Sequence, residues 1–70
     1  MDRKETVKVE AYLRKTFGAA GLSLKPRPNI KDSMEVHISG EFIGVVTRDD
    51  EDGEVSYQFN MAILDIDLED

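Results

Sequence analysis

The sequence predicts an α+β fold in which an N-terminal helix packs on an antiparallel β-meander of four strands, or five if the C-terminal segment forms its own strand. Residues 3–17 have helical periodicity, and most of the remaining chain alternates apolar with polar residues. Turn residues, not helices, separate the alternating stretches, which favours antiparallel pairing. With 70 residues and no cysteine, we expect a single domain over residues 1–70 without disulfides or thiolate metal sites.

The predicted helix has a start signal, an apolar stripe and a stop signal. Asp2 and Glu5 have the spacing of a capping box, and Gly18 can take the left-handed conformation that ends a helix. At 100° per residue the apolar stripe comprises Val9, Leu13 and Phe17. The opposite face carries a basic ridge of Lys4, Lys8 and Lys15. A helix with one apolar side needs a sheet to cover it.

The strands follow from alternation and from turn residues. Leu22–Arg27 is predicted as an edge strand or as the entry to a strand, because Pro26 and Pro28 cannot donate to a ladder. Residues 26–33 are predicted as a loop. Residues 33–39 alternate strictly. Phe42–Thr47 is apolar on both faces, which is typical of a central strand, and its Gly44 indicates a bulge or a close approach by the helix or by neighbours of Phe42.

The C-terminal third contains a hairpin loop and two alternating stretches out of phase. Residues 49–53 form an acidic turn ending in glycine, and residues 54–61 alternate cleanly. A bulge or tight turn near 61–63 is required, since one strand over residues 54–69 would span roughly 50 Å. The last piece is a final strand or a short helix.

The predicted core comprises Val9, Leu13, Phe17, Met34, Val36, Ile38, Ile43, Val45, Tyr57, Phe59 and several residues of 61–68. Phe42, Val46, Leu64 and Ile66 are not assigned to this core, so we expect the sheet to need a second layer that covers them.

Charge is distributed very unevenly. Residues 1–31 hold eight of the nine basic residues and three acidic ones, whereas residues 32–70 hold one basic and twelve acidic residues. The net charge of −6 argues against generic nucleic-acid binding by the whole surface. Opposite charges in one small body can bind each other, a charged partner or a second copy of the chain. Homodimerisation is therefore a hypothesis.

Two parts of the sequence resemble a family of short uncharacterised bacterial proteins, which is a domain of unknown function. They are "AYLRKTFG" in the helix and "GEFIGVVTRDDEDGEVSYQFNMAILDIDLED" in the second half. The resemblance covers nearly the whole chain. It implies a free-standing soluble bacterial protein, and it transfers no catalytic or binding residue.

The acidic groups do not form a recognisable metal or catalytic site. If Gly53 is set at position 6 of an EF-hand loop, Arg48 and Phe59 fall on ligand positions, so residues 49–53 are interpreted as a solvated turn. The C-terminal carboxylates are expected to be exposed, as a negative edge or a docking face for the basic helix: Asp65, Asp67, Glu69 and Asp70.

The remaining candidates are weaker still. His37 is interpreted as an exposed strand residue, since neither a second histidine nor a cysteine accompanies it. The glycines match no phosphate or dinucleotide loop. The sequence thus predicts no enzyme, no cofactor and no metal.

The basic surface is the candidate site. The predicted partner-binding residues are Lys4, Lys8, Lys15, Lys25, Arg27 and Lys31. No exposed aromatic residue is expected beside them, because Tyr57 and Phe59 are assigned to the core, so a protein partner ranks ahead of nucleic acid. The hypothesis is a non-enzymatic protein-interaction module of the bacterial cytoplasm, with no membrane segment. The alternative is an RNA- or ribosome-associated protein that binds through these basic residues.

Overall fold

The computed structural model describes residues 1–68, which form one helix followed by a four-stranded sheet and a short 3-10 helix. The α+β prediction is therefore confirmed, with four strands and no fifth among residues 1–68. No helix in this range is long and apolar enough to cross a membrane. The elements are α1 (Arg3–Phe17), β1 (Leu22–Arg27), β2 (Ile30–Ile38), β3 (Glu41–Asp49), β4 (Ser56–Asn60) and the 3-10 helix (Asp65–Leu68).

Helix α1 begins and ends where its capping residues predict. The Asp2 carboxylate accepts a hydrogen bond from the Glu5 amide at 2.7 Å, and the Glu5 carboxylate accepts one from the Asp2 amide at 3.4 Å. Gly18 adopts φ 61°, and its amide bonds back to the last turn. These contacts satisfy backbone groups that have no partner inside the helix, so they fix both of its ends.

The strands pair in chain order, β1-β2-β3-β4, and every neighbouring pair is antiparallel. β1 is an edge strand, as its prolines predict. The loop predicted over residues 26–33 is shorter than expected, because β2 begins at Ile30 after a tight turn in which Asn29 has φ 63°. The opposite edge is β4, which pairs on one side only.

One face of the sheet is covered by α1. The buried apolar core comprises Val9, Leu13, Leu22, Leu24, Met34, Val36 and Val46. Ile38, Ile43 and Phe59 are partly buried against it. The predicted core is confirmed for Val9 and Leu13 of the helix and for Met34 and Val36 of β2, whereas Leu22 and Leu24 of β1 are core residues that it did not include.

A bulge in β3 decides which valine reaches the core. Val36 pairs with Gly44 and His37 with Phe42, so Ile43 is an additional residue in β3. The extra residue shifts the alternation, and Val46 is 1% exposed on the covered face. The prediction that Val45 is in the core and Val46 left over is therefore wrong.

The helix does not cover the whole sheet face. A helix is about 10–12 Å wide and strands lie about 4.8 Å apart, so one helix shelters roughly two strands of four. α1 lies closest to β1. Two aromatic residues predicted for the core are consequently exposed: Phe17 at 51% and Tyr57 at 37%.

The chain beyond β4, residues 61–68, is named the C-terminal segment. It turns away at Asn60 and closes its 3-10 turn with two hydrogen bonds, from the Asp67 amide to the Leu64 carbonyl at 2.8 Å and from the Leu64 amide to the Asp67 carboxylate at 3.0 Å. Of the two predicted alternatives, the short helix is observed and the strand is wrong. The prediction that several residues of 61–68 are in the core is also wrong, because every residue of the segment is exposed.

Candidate functional site: an apolar groove between α1 and β4

An open groove of about 380 Å³ separates α1 from the β4 edge of the sheet. Its walls are apolar, and one lysine, Lys8, lies at its rim. We call it the α1–β4 groove, defined by Lys8, Val9, Tyr12, Leu13, Val46, Tyr57 and Phe59. It exists because the helix shelters the β1 side and leaves the apolar side chains of β4 uncovered.

Side-chain contacts on the other flank of α1 fix this orientation. The Glu10 carboxylate accepts a hydrogen bond from the Leu24 amide at 2.9 Å, and Arg14 Nε donates to the Leu22 carbonyl at 2.7 Å. Both partners are in β1, so the Glu10–Arg14 flank faces β1. The flank that carries Lys8 and Tyr12 therefore faces β4.

The basic ridge of α1 reaches the groove at Lys8. At 100° per residue, Lys4 and Lys15 lie on the same flank as Lys8. All three are exposed, and none makes an ion pair within residues 1–68. Tyr12, beside them, is 66% exposed, so the expectation that no exposed aromatic residue accompanies the basic surface is wrong.

The other predicted basic residues lie elsewhere. Lys25 alternates with buried Leu24 in β1 and pairs with Glu35, which places it on the uncovered face of the sheet. Arg27 is half-buried at the end of β1, and Lys31 is exposed in the β1–β2 hairpin. The sheet thus separates Lys25 from the ridge on α1, and the six residues do not form one continuous patch.

A polar cluster closes one end of the groove. The Tyr57 hydroxyl donates a hydrogen bond to Glu5 Oε2 at 2.6 Å, and Arg48 Nε donates to the same oxygen at 2.8 Å. Arg48 Nη1 also donates to Asp50 Oδ2 at 2.7 Å. The cluster joins the first turn of α1 to β3 and β4.

The cluster shifts the ionisation of its members. The hydrogen bond from Tyr57, followed by the contacts with the Asp2 amide and Arg48, lowers the pKa of Glu5 against the opposing effect of burial. The same bond raises the pKa of Tyr57, since it favours the protonated phenol. Asp50 and then Glu5 raise the pKa of Arg48. At neutral pH the cluster therefore holds a carboxylate, a guanidinium and a neutral phenol.

Sequence reasoning missed both the groove and this cluster. Glu5 is separated from Arg48 and Tyr57 by 43 and 52 residues, so no local spacing reveals the contacts. Two signals were available. Arg48 is the one basic residue in the acidic half, and a tyrosine assigned to the core needs a partner for its hydroxyl.

His37 is buried, at 9% exposure, and its prediction as an exposed residue is wrong. It lies on the face of the sheet away from α1, but the Phe42 ring packs edge-on against it with centroids 5.6 Å apart. His37 Nε2 is 2.9 Å from Glu35 Oε1, and no partner for Nδ1 is found among residues 1–68. Neither contact joins the imidazole to a nucleophile.

The acidic turn forms the predicted hairpin connection between β3 and β4. The Gly53 amide donates to the Asp50 carbonyl at 3.3 Å with φ 80°, and the Glu51 amide donates to Asp49 Oδ1 at 3.1 Å. Asp65 and Asp67 lie in the 3-10 helix, while Glu69 and Asp70 are outside the described residues. Within residues 1–68, no group of three potential ligands could hold a metal ion.

Comparison with known proteins identifies a family that covers nearly the whole chain. A family model described as "Protein of unknown function (DUF3126)" matches residues 5–67. No curated protein and no solved structure matches the chain. The matched range includes most of α1, the whole sheet and most of the C-terminal segment.

Proposed function

We propose that this chain, which belongs to the DUF3126 family of proteins of unknown function, is a non-enzymatic protein-interaction module of the bacterial cytoplasm. The observation that carries the proposal is the α1–β4 groove, an open apolar surface with the exposed Lys8 at its rim. A groove of this kind between a helix and an edge strand accepts an apolar segment of another protein. The basic ridge favours a segment that also carries carboxylates.

The polar groups near the groove support binding in preference to catalysis. The Tyr57 hydroxyl donates a hydrogen bond to Glu5, and the raised pKa of Tyr57 disfavours a phenolate nucleophile at neutral pH. Arg48 forms an ion pair with each of the two carboxylates of the cluster, Glu5 and Asp50. The cluster is suited to holding α1 in place and to terminating the groove with a polar wall.

The proposal is tested by affinity capture from a bacterial lysate, with and without nuclease. We expect the wild-type chain to retain a protein partner in both conditions. Tyr12→Glu places a charge in the groove and should abolish retention, because burying an unpaired carboxylate against apolar walls is costly. The matched control is Val7→Glu, which makes the same charge change at a 58% exposed position on the outer side of α1. Equal retention by Tyr12→Glu and wild type would exclude the groove as the binding surface.

Nucleic-acid binding is the second candidate. Tyr12 beside Lys8 offers a base-stacking ring next to phosphate-binding ammonium groups, and this arrangement favours RNA or ribosome association. In that case capture is nuclease-sensitive, weakens steeply with salt, and is lost in the variant Lys4→Glu/Lys8→Glu/Lys15→Glu. Nuclease-resistant capture that survives this triple variant contradicts it.

A further inference from the structure

The C-terminal segment, like the groove, exposes apolar side chains that the described part of the chain does not cover. Its apolar side chains are exposed by 52–70%: Met61, Ile63, Leu64, Ile66 and Leu68. The segment flanks a shallow cleft with residues 42–45 of β3, but that contact leaves every residue of the segment exposed. Five exposed large apolar residues within eight positions are unusual for a surface that stays free in water.

The groove and the segment are complementary in character and in charge. The groove has apolar walls with Lys8 at its rim, and Lys4 and Lys15 are exposed on the outer face of the same helix. Asp65 and Asp67 alternate with Leu64, Ile66 and Leu68 in the segment. Each of these three apolar residues therefore has a carboxylate next to it in the sequence. Such a contact would bring residues of the N-terminal part, 1–31, with a net charge of +5, close to residues of the C-terminal part, 32–70, with a net charge of −11.

We propose that the α1–β4 groove binds the C-terminal segment of a second copy of this chain, so that two copies exchange segments about a two-fold axis. The two-fold symmetry makes the contact twice, with each copy giving one segment and one groove. A second copy is favoured over the chain's own segment, because in the monomer both the groove and the segment are open at the same time. The inference rests on the proposed function and names its partner.

The test is the mass of the full-length chain in solution as a function of concentration. We expect a monomer–dimer equilibrium in sedimentation equilibrium. Tyr12→Glu, which blocks the groove, and Ile66→Ser/Leu68→Ser, which removes apolar groups from the segment, should each weaken dimerisation about tenfold or more. The exposed positions of all three residues leave the core intact, which circular dichroism of each variant checks. Val7→Glu should dimerise like wild type.

Mixing the two defective variants gives the sharper result. The Tyr12→Glu chain keeps an intact segment, and the Ile66→Ser/Leu68→Ser chain keeps an intact groove. Each variant alone has no intact contact, whereas the mixed dimer has one. We therefore expect the equimolar mixture to dimerise more strongly than either variant alone and more weakly than wild type.

Charge reversal supplies an independent arm. Lys8→Glu/Lys15→Glu should weaken dimerisation, and mixing with Asp65→Lys/Asp67→Lys should restore it, because the reversed charges attract again. A monomeric wild type at high micromolar concentration overturns the proposal. A dimer that is unaffected by the groove and segment variants also overturns it. So does an equimolar mixture of the two defective variants that dimerises no more strongly than either variant alone.

These outcomes separate the inference from the proposed function. If wild type is monomeric but captures a partner that Tyr12→Glu loses, the interaction module stands and the second copy is excluded. If wild type dimerises through the groove and captures nothing, self-assembly is the use of the surface.

Discussion

Gly44 is the position at which β3 and β4 leave no room for a side chain. A Cβ there would lie 2.4 Å from the Asn60 carbonyl oxygen and 2.9 Å from Cε1 of Phe59. The backbone oxygen belongs to the strand paired with β3, so it cannot move without disturbing the sheet. The sequence predicted a bulge or a close approach at this glycine, and the structure has both, although the approaching residues come from β4 and not from the helix.

Gly44→Ala should therefore lower the free energy of unfolding by about 1–3 kcal/mol, the usual cost of overpacking. Urea denaturation monitored by circular dichroism measures it. Gly21→Ala is the matched control, because its Cβ would meet chiefly the Ser39 hydroxyl, at 2.9 Å, which can rotate away. Equal losses for the two variants would contradict the steric explanation.

Alternation alone could not assign Val45 and Val46 to their faces. Phe42–Thr47 is apolar at nearly every position, so both phases of the strand look equally suited to the core. The bulge at Ile43 chooses between them, and its position depends on the pairing of β2 with β3. His37 was misjudged for a related reason, since the Phe42 ring that buries it comes from the neighbouring strand.

At the scale of elements, α1 shows how far local signals reach. Its start, end and buried stripe all follow from residues within a few positions of each other, and the predicted bounds are the observed ones. The bounds of β1 were also predicted, since prolines mark an edge strand clearly. The lateral position of α1 over the sheet depends on contacts with β1, β3 and β4, which sequence spacing does not contain.

The Asp2 cap should contribute measurably to stability. Asp2→Ala removes the acceptor for the Glu5 amide and should lower the free energy of unfolding by about 1 kcal/mol. Asp2→Ser retains an acceptor and should cost only a few tenths of that, about 0.3 kcal/mol. Thermal denaturation of the two variants beside wild type measures the difference, and an equal loss in both would show that the cap is not the cause.

At the scale of the whole molecule, Glu5 connects the helix to the far side of the sheet. Its carboxylate receives hydrogen bonds from Arg48 in β3 and Tyr57 in β4. A carboxylate whose pKa is lowered in the folded state stabilises the fold above its ordinary pKa of 4.5. This contribution is lost as the pH falls from there through the lowered pKa, because protonation then favours the unfolded chain.

Glu5→Gln should consequently be less stable than wild type at neutral pH, and the difference should shrink as the pH falls below 4.5. Glutamine keeps one oxygen for the capping-box contact with Asp2, but its NH2 group replaces the oxygen that accepts from Tyr57 and Arg48, so the variant removes the charge together with those two hydrogen bonds. Glu54→Gln is the control, since Glu54 is exposed and makes no side-chain contact among the described hydrogen bonds and ion pairs. Urea denaturation at a series of pH values measures both variants. A gap between wild type and Glu5→Gln that stays constant with pH would contradict the assignment.

The candidate site was predictable in part. The charge asymmetry and the lysines of α1 were visible in the sequence, and so was the excess of apolar residues near the C-terminus. The groove was not visible in the sequence, because it arises from the difference between the width of one helix and the width of a four-stranded sheet. Hydrophobic patterning predicts that the sheet needs a second layer to cover its apolar residues. Which strands the helix leaves uncovered depends on how the helix packs on the sheet, and the pattern does not contain that information.

The bulge at Ile43 has a consequence for aligning related chains. Because one inserted residue separates Phe42 from Gly44 in the pairing with β2, a relative without that residue would keep its valine opposite Met34 and would have one residue fewer between the phenylalanine and the glycine. Matching letters column by column would then equate residues that occupy different faces of the sheet. In this strand, an alignment should be anchored on Gly44 and Asn60, whose close contact survives only in one frame.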